Sequence, residues 1–269
     1  MDNAEQMKLD CLLPNKQAIA ASFSKAANTY DKHAAFQRDV GHRLLDKLPN
    51  DLTHKRVLDL GCGTGYFSQL LQERGAEVFC VDISQEMLSK AMVRCGHERM
   101  NYVLADAENL PFDDTSFDYV FSSLALQWCA DLSYPLREVR RVLKANGKAA
   151  FSTLAEGSLC ELRASWKKLM AYQHVNNFLS LNQVKIALAQ SRCDNHQLDL
   201  TTITVWYDSA FSVMRDLKGI GGANHVSGRS HGLTSRETLL QVEHEYQAFK
   251  NDQGFLPASY QVCFGVIHL

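Results

Sequence analysis

Residues Val57 to Gly65, Val-Leu-Asp-Leu-Gly-Cys-Gly-Thr-Gly, run an apolar strand-forming stretch into three closely spaced glycines. That order is the signature of a strand, a tight turn and a helix, and the turn makes a nucleotide-sized ligand site. Two later acids extend the pattern. Asp82 ends the apolar run Val78 to Val81, roughly 20 residues beyond the first glycine, where a βαβ unit offers a carboxylate to a ribose. Asp106 ends a third run, Tyr102 to Ala105. A lone glycine motif is weak evidence, whereas three strand ends converging on one ligand are much stronger.

From Lys55 onward short β-rich runs alternate with helical patterns, as in a parallel sheet covered on both faces. Strands are predicted over Arg56–Leu60, Glu77–Asp82, Asn101–Ala105, Asp118–Ser122 and Lys148–Thr153, with helices over Tyr66–Arg74, Ser84–Cys95 and Leu132–Ala145. Ser84 is the expected N-cap of its helix, and Asn146-Gly147 the stop of the last one. This last helix carries Leu132, Leu136, Val139 and Leu143 on one face and Arg137, Arg140, Arg141 and Lys144 on another, a basic stripe that is either solvated or a contact for an acidic partner. Beyond Thr153 the alternation lapses, and Ser158–Gln190, with Trp166, Tyr172 and Phe178, reads as a helical insertion over the ligand site. Thr201–Tyr207 and Tyr260–Ile267 resume the sheet, around helices at Phe211–Leu217 and Ser235–Lys250.

The 269 residues, 46% of them hydrophobic, suffice for a large core, and a formal charge of -2 of mixed sign gives no nucleic-acid footprint. Met1 to Ala20 lacks the layout of a signal peptide, and no apolar run is long enough to cross a bilayer, so a cytoplasmic protein is expected. Eight cysteines are scattered without a Cys-x-x-Cys pair, which argues for reduced thiols and against a metal site or a disulfide framework.

Gly61, Gly63 and Gly65 let a ligand approach the backbone at the turn. A dinucleotide would seat its pyrophosphate there, but Asp59 stands just before the glycines, where its carboxylate repels phosphate and suits a cation. Asp82 is placed to accept from both ribose hydroxyls, Ile83 and Met87 to face the base, and Asp106 with Ala107 and Glu108 to meet an adenine amine. Each acid alone could equally be a helix cap or a solvated loop residue.

The quoted glycine segment, with Cys-Val-Asp-Ile-Ser, Ala-Asp-Ala-Glu-Asn-Leu-Pro-Phe, and Phe-Asp-Tyr-Val followed by Leu-Arg-Glu-Val-Arg-Arg-Val-Leu, resembles class I S-adenosylmethionine-dependent methyltransferases over about Arg56 to Thr153. The resemblance implies an α/β, Rossmann-like, seven-stranded and mostly parallel sheet with an antiparallel last strand. It also implies a sulfonium cofactor, whose positive methionyl end Asp59 favours.

The flanks narrow the resemblance to malonyl-[acyl-carrier protein] O-methyltransferases, which begin pimelate assembly for biotin. The matching segments are Asn15 to Tyr30, Leu124 to Cys129, Thr153 to Leu162, Leu217 to Gly221 and Gly228-Arg229. One departure is Ser122-Ser123, where Ser-Asn is expected. The organisation implied is an N-terminal helical lid over residues 1–50 and a methyltransferase domain over 51–269, with a substrate-side helical insertion at 156–200. Ile19, Phe23, Ala26 and Tyr30 lie at helical spacing, either as a face packed on the domain or as a lid closing Phe23 and Tyr30 over the cofactor.

The resemblance adds Cys62, Ser123 and Leu124 to the cofactor side and Gln127 and Trp128 to the substrate side. Its implied reaction is methylation of the free carboxylate of a malonyl thioester. A carboxyl of ordinary pKa, about 4, is already ionised, so positioning suffices and no general base is expected. Tyr30 and Arg229 are the candidate positioning residues, Arg229 for the malonyl carboxylate, with Asn224, His225 and His33 as further substrate contacts. An acidic carrier protein, or malonyl-coenzyme A, is the expected partner, met by a basic rim drawn from Arg163, Lys167, Lys168, Lys25 and Lys32. The alternatives are a methyltransferase for a free small dicarboxylate or a quinone-like acceptor, and a non-catalytic cofactor-binding assembly factor.

Overall fold

The computed structural model describes residues 15–169, 175–222 and 235–269. Three helices precede the sheet: α1 (Lys16–Ala26), α2 (Tyr30–His33) and α3 (Ala35–Leu45). The alternating core follows as β1 (Arg56–Leu60), α4 (Tyr66–Glu73), β2 (Glu77–Asp82), α5 (Gln85–Cys95), β3 (Met100–Leu104), β4 (Phe117–Ser123), α6 (Ser133–Val142) and β5 (Leu143–Ala155). Then come α7 (Cys160–Lys167), α8 (Leu181–Gln190), β6 (His196–Tyr207), α9 (Ala210–Gly219), α10 (Arg236–Tyr246) and β7 (Leu256–His268).

The seven strands form one sheet in the order β3-β2-β1-β4-β5-β7-β6. β7 runs antiparallel to both of its neighbours, and the pairings from β3 through β5 are parallel. Strand order reverses beside β1, so the carboxyl ends of β1, β2 and β4 open on a common crevice, the usual ligand position of such sheets.

The sheet is apolar on both faces because helices cover both. Along β1, Val57 joins one core cluster and Leu58 and Leu60 the other, an alternation set by the two-residue period of a strand. The first cluster takes Val40 and Leu44 of α3, Leu71 of α4, Ala91 of α5 and Val242 and Tyr246 of α10. The second takes Leu136 and Val139 of α6 with Val184 and Leu188 of α8. Each such Leu or Val side chain, removed from water, contributes on the order of 1.5–3 kcal/mol.

Ser84 caps α5 by accepting from Met87 N–H at 3.2 Å, as its position before the helix predicts. The helix predicted over Leu132–Ala145 instead ends at Val142, because Leu143 already pairs with Phe117 in the sheet. The expected basic stripe divides: Arg137 and Arg140 are exposed, Lys144 falls on β5, and Arg141, Lys144 and Arg140 make fixed contacts. Arg141 donates to the carbonyls of Leu110 and Phe112 and to Glu138, Lys144 pairs with Asp118 at 2.8 Å, and Arg140 donates to the Arg192 carbonyl.

The segment expected as an insertion at 156–200 divides between the two layers. α7 packs with α10 and β7 in the first cluster, on the side of the site, whereas α8 packs against α6 on the opposite face. Residues 196–200 already belong to β6.

Candidate active site

Three cavities meet at the crevice. The first, about 770 Å³ and open to solvent, is walled by Gly61 and Gly63 from the glycine turn, Asp82, Ile83 and Met87 after β2, and Asp106, Ala107 and Glu108 after β3. Phe23 and Tyr30 from the N-terminal helices and Ser123, Leu124 and Trp128 after β4 complete it. A second, of about 670 Å³, shares Phe23, Tyr30, Leu124 and Trp128 with the first and is otherwise lined by aliphatic and aromatic side chains with the uncharged polar groups of Gln37, Gln127, Asn176 and Tyr260 among them. A third, smaller chamber beneath the turn is lined by Asp59, Cys62, Gln37 and Arg38, together with Tyr30, Gly61, Gly63 and Ser123 of the first. Among the described residues Tyr30 alone borders all three.

The glycines divide the work of the turn. All three have positive φ, which suits glycine. A Cβ on Gly63 would project into open space, so its backbone faces the ligand. A Cβ on Gly65 would lie 2.8 Å from that of Ala91, so Gly65, expected at the cofactor, instead lets α4 close on α5 and borders none of the three cavities. Leu124 carries the left-handed backbone a non-glycine residue avoids, with φ 51°. Hydrogen bonds from its N–H to the Ser152 carbonyl and Oγ hold it there, and its side chain walls both large cavities. Such stored backbone strain gathers at functional sites, and nothing in the sequence marks it.

The two strand-end carboxylates are buried and perturbed. Burial and then the nearby Asp82 push Asp59 up to about 7, although Ser68 donates to it at 2.5 Å. Asp82 is raised to about 6, chiefly by burial, against the backbone N–H groups of Ser84 and Gly63 at 2.8 and 2.9 Å. A cation entering beside them would restore both to full ionisation. Asp106 and Glu108 already grip Lys16 of α1 at 2.5 and 2.7 Å, a bridge the sequence did not disclose because it spans some 90 residues of chain.

The N-terminal helices are tied down over the crevice. Ser24 is hydrogen-bonded to Ser84 at 2.9 Å and to Glu86. Asp31 accepts from Thr64 at 2.7 Å and from Arg94 at 2.6 Å. Phe23 meets Trp128 edge to face with centroids 5.4 Å apart. His33, expected at the substrate, borders neither large cavity. Its Nδ1 lies 2.7 Å from Asp216 and its ring packs on Gly219, so it joins α2 to α9.

Asn224, His225 and Arg229 lie outside the described residues. Among the described residues lining the second cavity none is charged. Of the expected basic rim, Lys168 is paired with Glu245 at 2.6 Å and Arg163 donates to the Asn176 carbonyl, while Lys25 and Lys32 are exposed. No group of His, Cys, Asp and Glu side chains suited to a metal ion occurs among the described residues, and no helix among them is long and apolar enough to cross a membrane.

Comparison with known proteins agrees with this geometry. A family model described as "Methyltransferase domain" matches residues 58–151. The malonyl-[acyl-carrier protein] O-methyltransferase of Serratia marcescens is 43% identical over 254 residues, covering 94% of this chain and 96% of that one. The biotin biosynthesis bifunctional protein BioHC of Cellvibrio japonicus is 41% identical, covering 94% of this chain and 50% of its own. Among solved structures, the YcgJ protein of Bacillus subtilis superposes with TM-score 0.61 at 19% identity, over 86% of this chain and 98% of that one, which shows the shared fold.

Proposed function

The chain belongs to the malonyl-[acyl-carrier protein] O-methyltransferase family, and from that premise we propose that it methylates the free carboxylate of a malonyl thioester with S-adenosylmethionine, giving the methyl ester that starts pimelate assembly for biotin. The observation that carries this reading is the pair of adjoining cavities with Tyr30, Phe23, Leu124 and Trp128 as their common wall. The first is lined by the carboxylates of Asp82, Asp106 and Glu108, the second by no charged side chain among the described residues, and the two meet at that wall.

The cleft fits the cofactor. Asp82 has lone pairs to spare for ribose hydroxyls, Met87 and Ile83 flank a base, and Gly63 leaves backbone room. Asp59 in the third chamber is held near half-ionisation by burial until a cation approaches. The cofactor supplies a sulfonium-borne methyl group, which passes to a carboxylate oxygen and leaves a neutral thioether.

The residues of the chain position and dry the reaction. Burial, and then the carboxylates of Asp82 and Asp31, hold the Tyr30 phenol well above its usual pKa, so it is a neutral donor at the junction of the cavities. Phe23, Trp128 and Leu124 exclude water from the contact point, which strengthens the attraction between carboxylate and sulfonium. No base is needed, because the acceptor is already an anion. Arg229, in the glycine-flanked stretch Gly228 to Gly232, is the candidate cation for that anion, because a guanidinium matches a carboxylate.

Incubation with methyl-labelled S-adenosylmethionine and malonyl-carrier protein should give a base-labile ester on the acyl group. Label on a free dicarboxylate or a quinone-like acceptor, with none on the malonyl thioester, would overturn the reading. Cofactor binding without turnover on any of these would point to an assembly factor.

A further inference from the structure

The second cavity holds a polar atom that its proposed acyl cargo cannot satisfy. Gln127 sits on the 3-10 turn Leu126–Trp128, immediately after the strained Leu124, and lines this cavity but neither of the others. Its Nε2 donates to the Leu124 carbonyl at 2.7 Å, which fixes the amide orientation, since the flipped form would set two oxygens against each other. Its Oε1 is therefore an acceptor, and it is buried with no hydrogen-bond donor among the described residues. Leaving such an atom unpaired costs about 1–3 kcal/mol.

A malonyl group offers this oxygen nothing. Its carboxylate and thioester carbonyl are acceptors only, and placed against Oε1 they repel it. The first donor along the substrate is the amide N–H two methylenes beyond the thioester sulfur, at the far end of the cysteamine portion of the carrier arm. In extended form that N–H lies on the order of 7 Å from the carboxylate carbon, at standard bond lengths. A carboxylate held at Tyr30 and Leu124 thus puts the amide a short way down the second cavity, on the Gln127 side of the common wall. Gln37 also has a buried Oε1 without a donor, but it borders the Asp59 chamber as well, where a donor on the cofactor can reach it.

We infer that Gln127 is the specificity-determining residue of the acceptor cavity, its Oε1 accepting the cysteamine amide N–H of the arm that bears the malonyl thioester. The inference rests on the malonyl-thioester reading above and deepens it. It makes the enzyme select for the arm itself, which acyl-carrier protein and coenzyme A share, before any protein surface is engaged. A free dicarboxylate or a plain alkyl thioester leaves Oε1 unpaired and is disfavoured by that loss, which is how a buried hydrogen-bonding group discriminates most sharply.

The test compares malonyl-N-acetylcysteamine with the malonyl thioester in which a methylene replaces the amide N–H, the ketone analogue. The wild-type protein should favour the amide by about 10–100-fold in kcat/KM, as expected for one buried neutral hydrogen bond. In Gln127→Met, which removes the acceptor, that ratio should collapse to near one. Cofactor titration of the variant checks that it is folded. Equal use of amide and ketone by the wild type, or a ratio preserved in Gln127→Met, would overturn the inference. With malonyl-carrier protein and malonyl-coenzyme A, Gln127→Met should lower kcat/KM by the same factor. A loss confined to the carrier protein would place Gln127 at a protein contact instead. If neither malonyl thioester accepts a methyl group from the wild type, it is the methylation reading that fails.

Discussion

Tyr30 can donate a hydrogen bond at the meeting point of the three cavities but cannot serve as a base, since burial and the neighbouring Asp82 and Asp31 keep its phenol protonated. Tyr30→Phe should therefore lower kcat by about 10–100-fold, the range expected for one lost positioning contact, and leave the pH profile without a new acidic limb. A new acidic pKa in the rate profile would mean that a proton is being taken after all. Asp59 makes the opposite kind of contribution, charge without contact chemistry. With its carboxyl raised to about 7 in the free protein, cofactor binding should draw it back to the ionised form and tighten as pH rises from 5.5 to 7.5. Asp59→Asn should flatten that dependence in a calorimetric titration. At this scale the strand-end acids were legible, because a carboxylate just past a buried strand has few places to point. Lys16, Gln37 and the backbone of Leu124 were not, because each owes its place to a neighbour distant in the chain. His33 has helical spacing compatible with the site, and only the packing of α2 on α9 turns it away.

α1 is held by contacts at both ends rather than by a deep apolar face: Lys16 to Asp106 and Glu108, Ser24 to Ser84 and Glu86, and Ile19 and Ala26 as its buried residues. Partly exposed ion pairs of this kind are worth little in stability but are sensitive to salt. Lys16→Met should raise the KM for cofactor about 3–10-fold at low ionic strength, and most of that difference should vanish at high salt; steady-state kinetics at two salt concentrations would show it. The two core layers were readable from periodicity, since α3 to α6 each bury one stripe against a sheet apolar on both faces. Boundaries beyond Thr153 were less so. The alternation there becomes helix, helix, strand, and only tertiary packing reveals that α7 and α8 cover opposite faces.

For the molecule as a whole, Asp59 and Asp82 couple stability to pH. Both have folded pKa values above the ordinary carboxylate, so they favour the native state below about pH 4, and that contribution is lost as pH rises through about 6 for Asp82 and about 7 for Asp59. A bound cation offsets the loss, so the rise in Tm on adding cofactor should be larger at pH 7.5 than at pH 5.5. An equal rise at both would show that neither carboxylate senses the ligand. The sheet carries a further consequence. β6 pairs with β7 alone, and β7 lies between β6 and β5. A ribosome emitting this chain will have delivered all five strands of the cofactor half long before β7 exists, so that half can collapse early, while β6 waits, unpaired, for almost fifty residues. Tyr260, on β7, stacks on Phe36 and lines the second cavity. If that cavity takes the acceptor, as proposed, it is thus completed only after the cofactor half has been made.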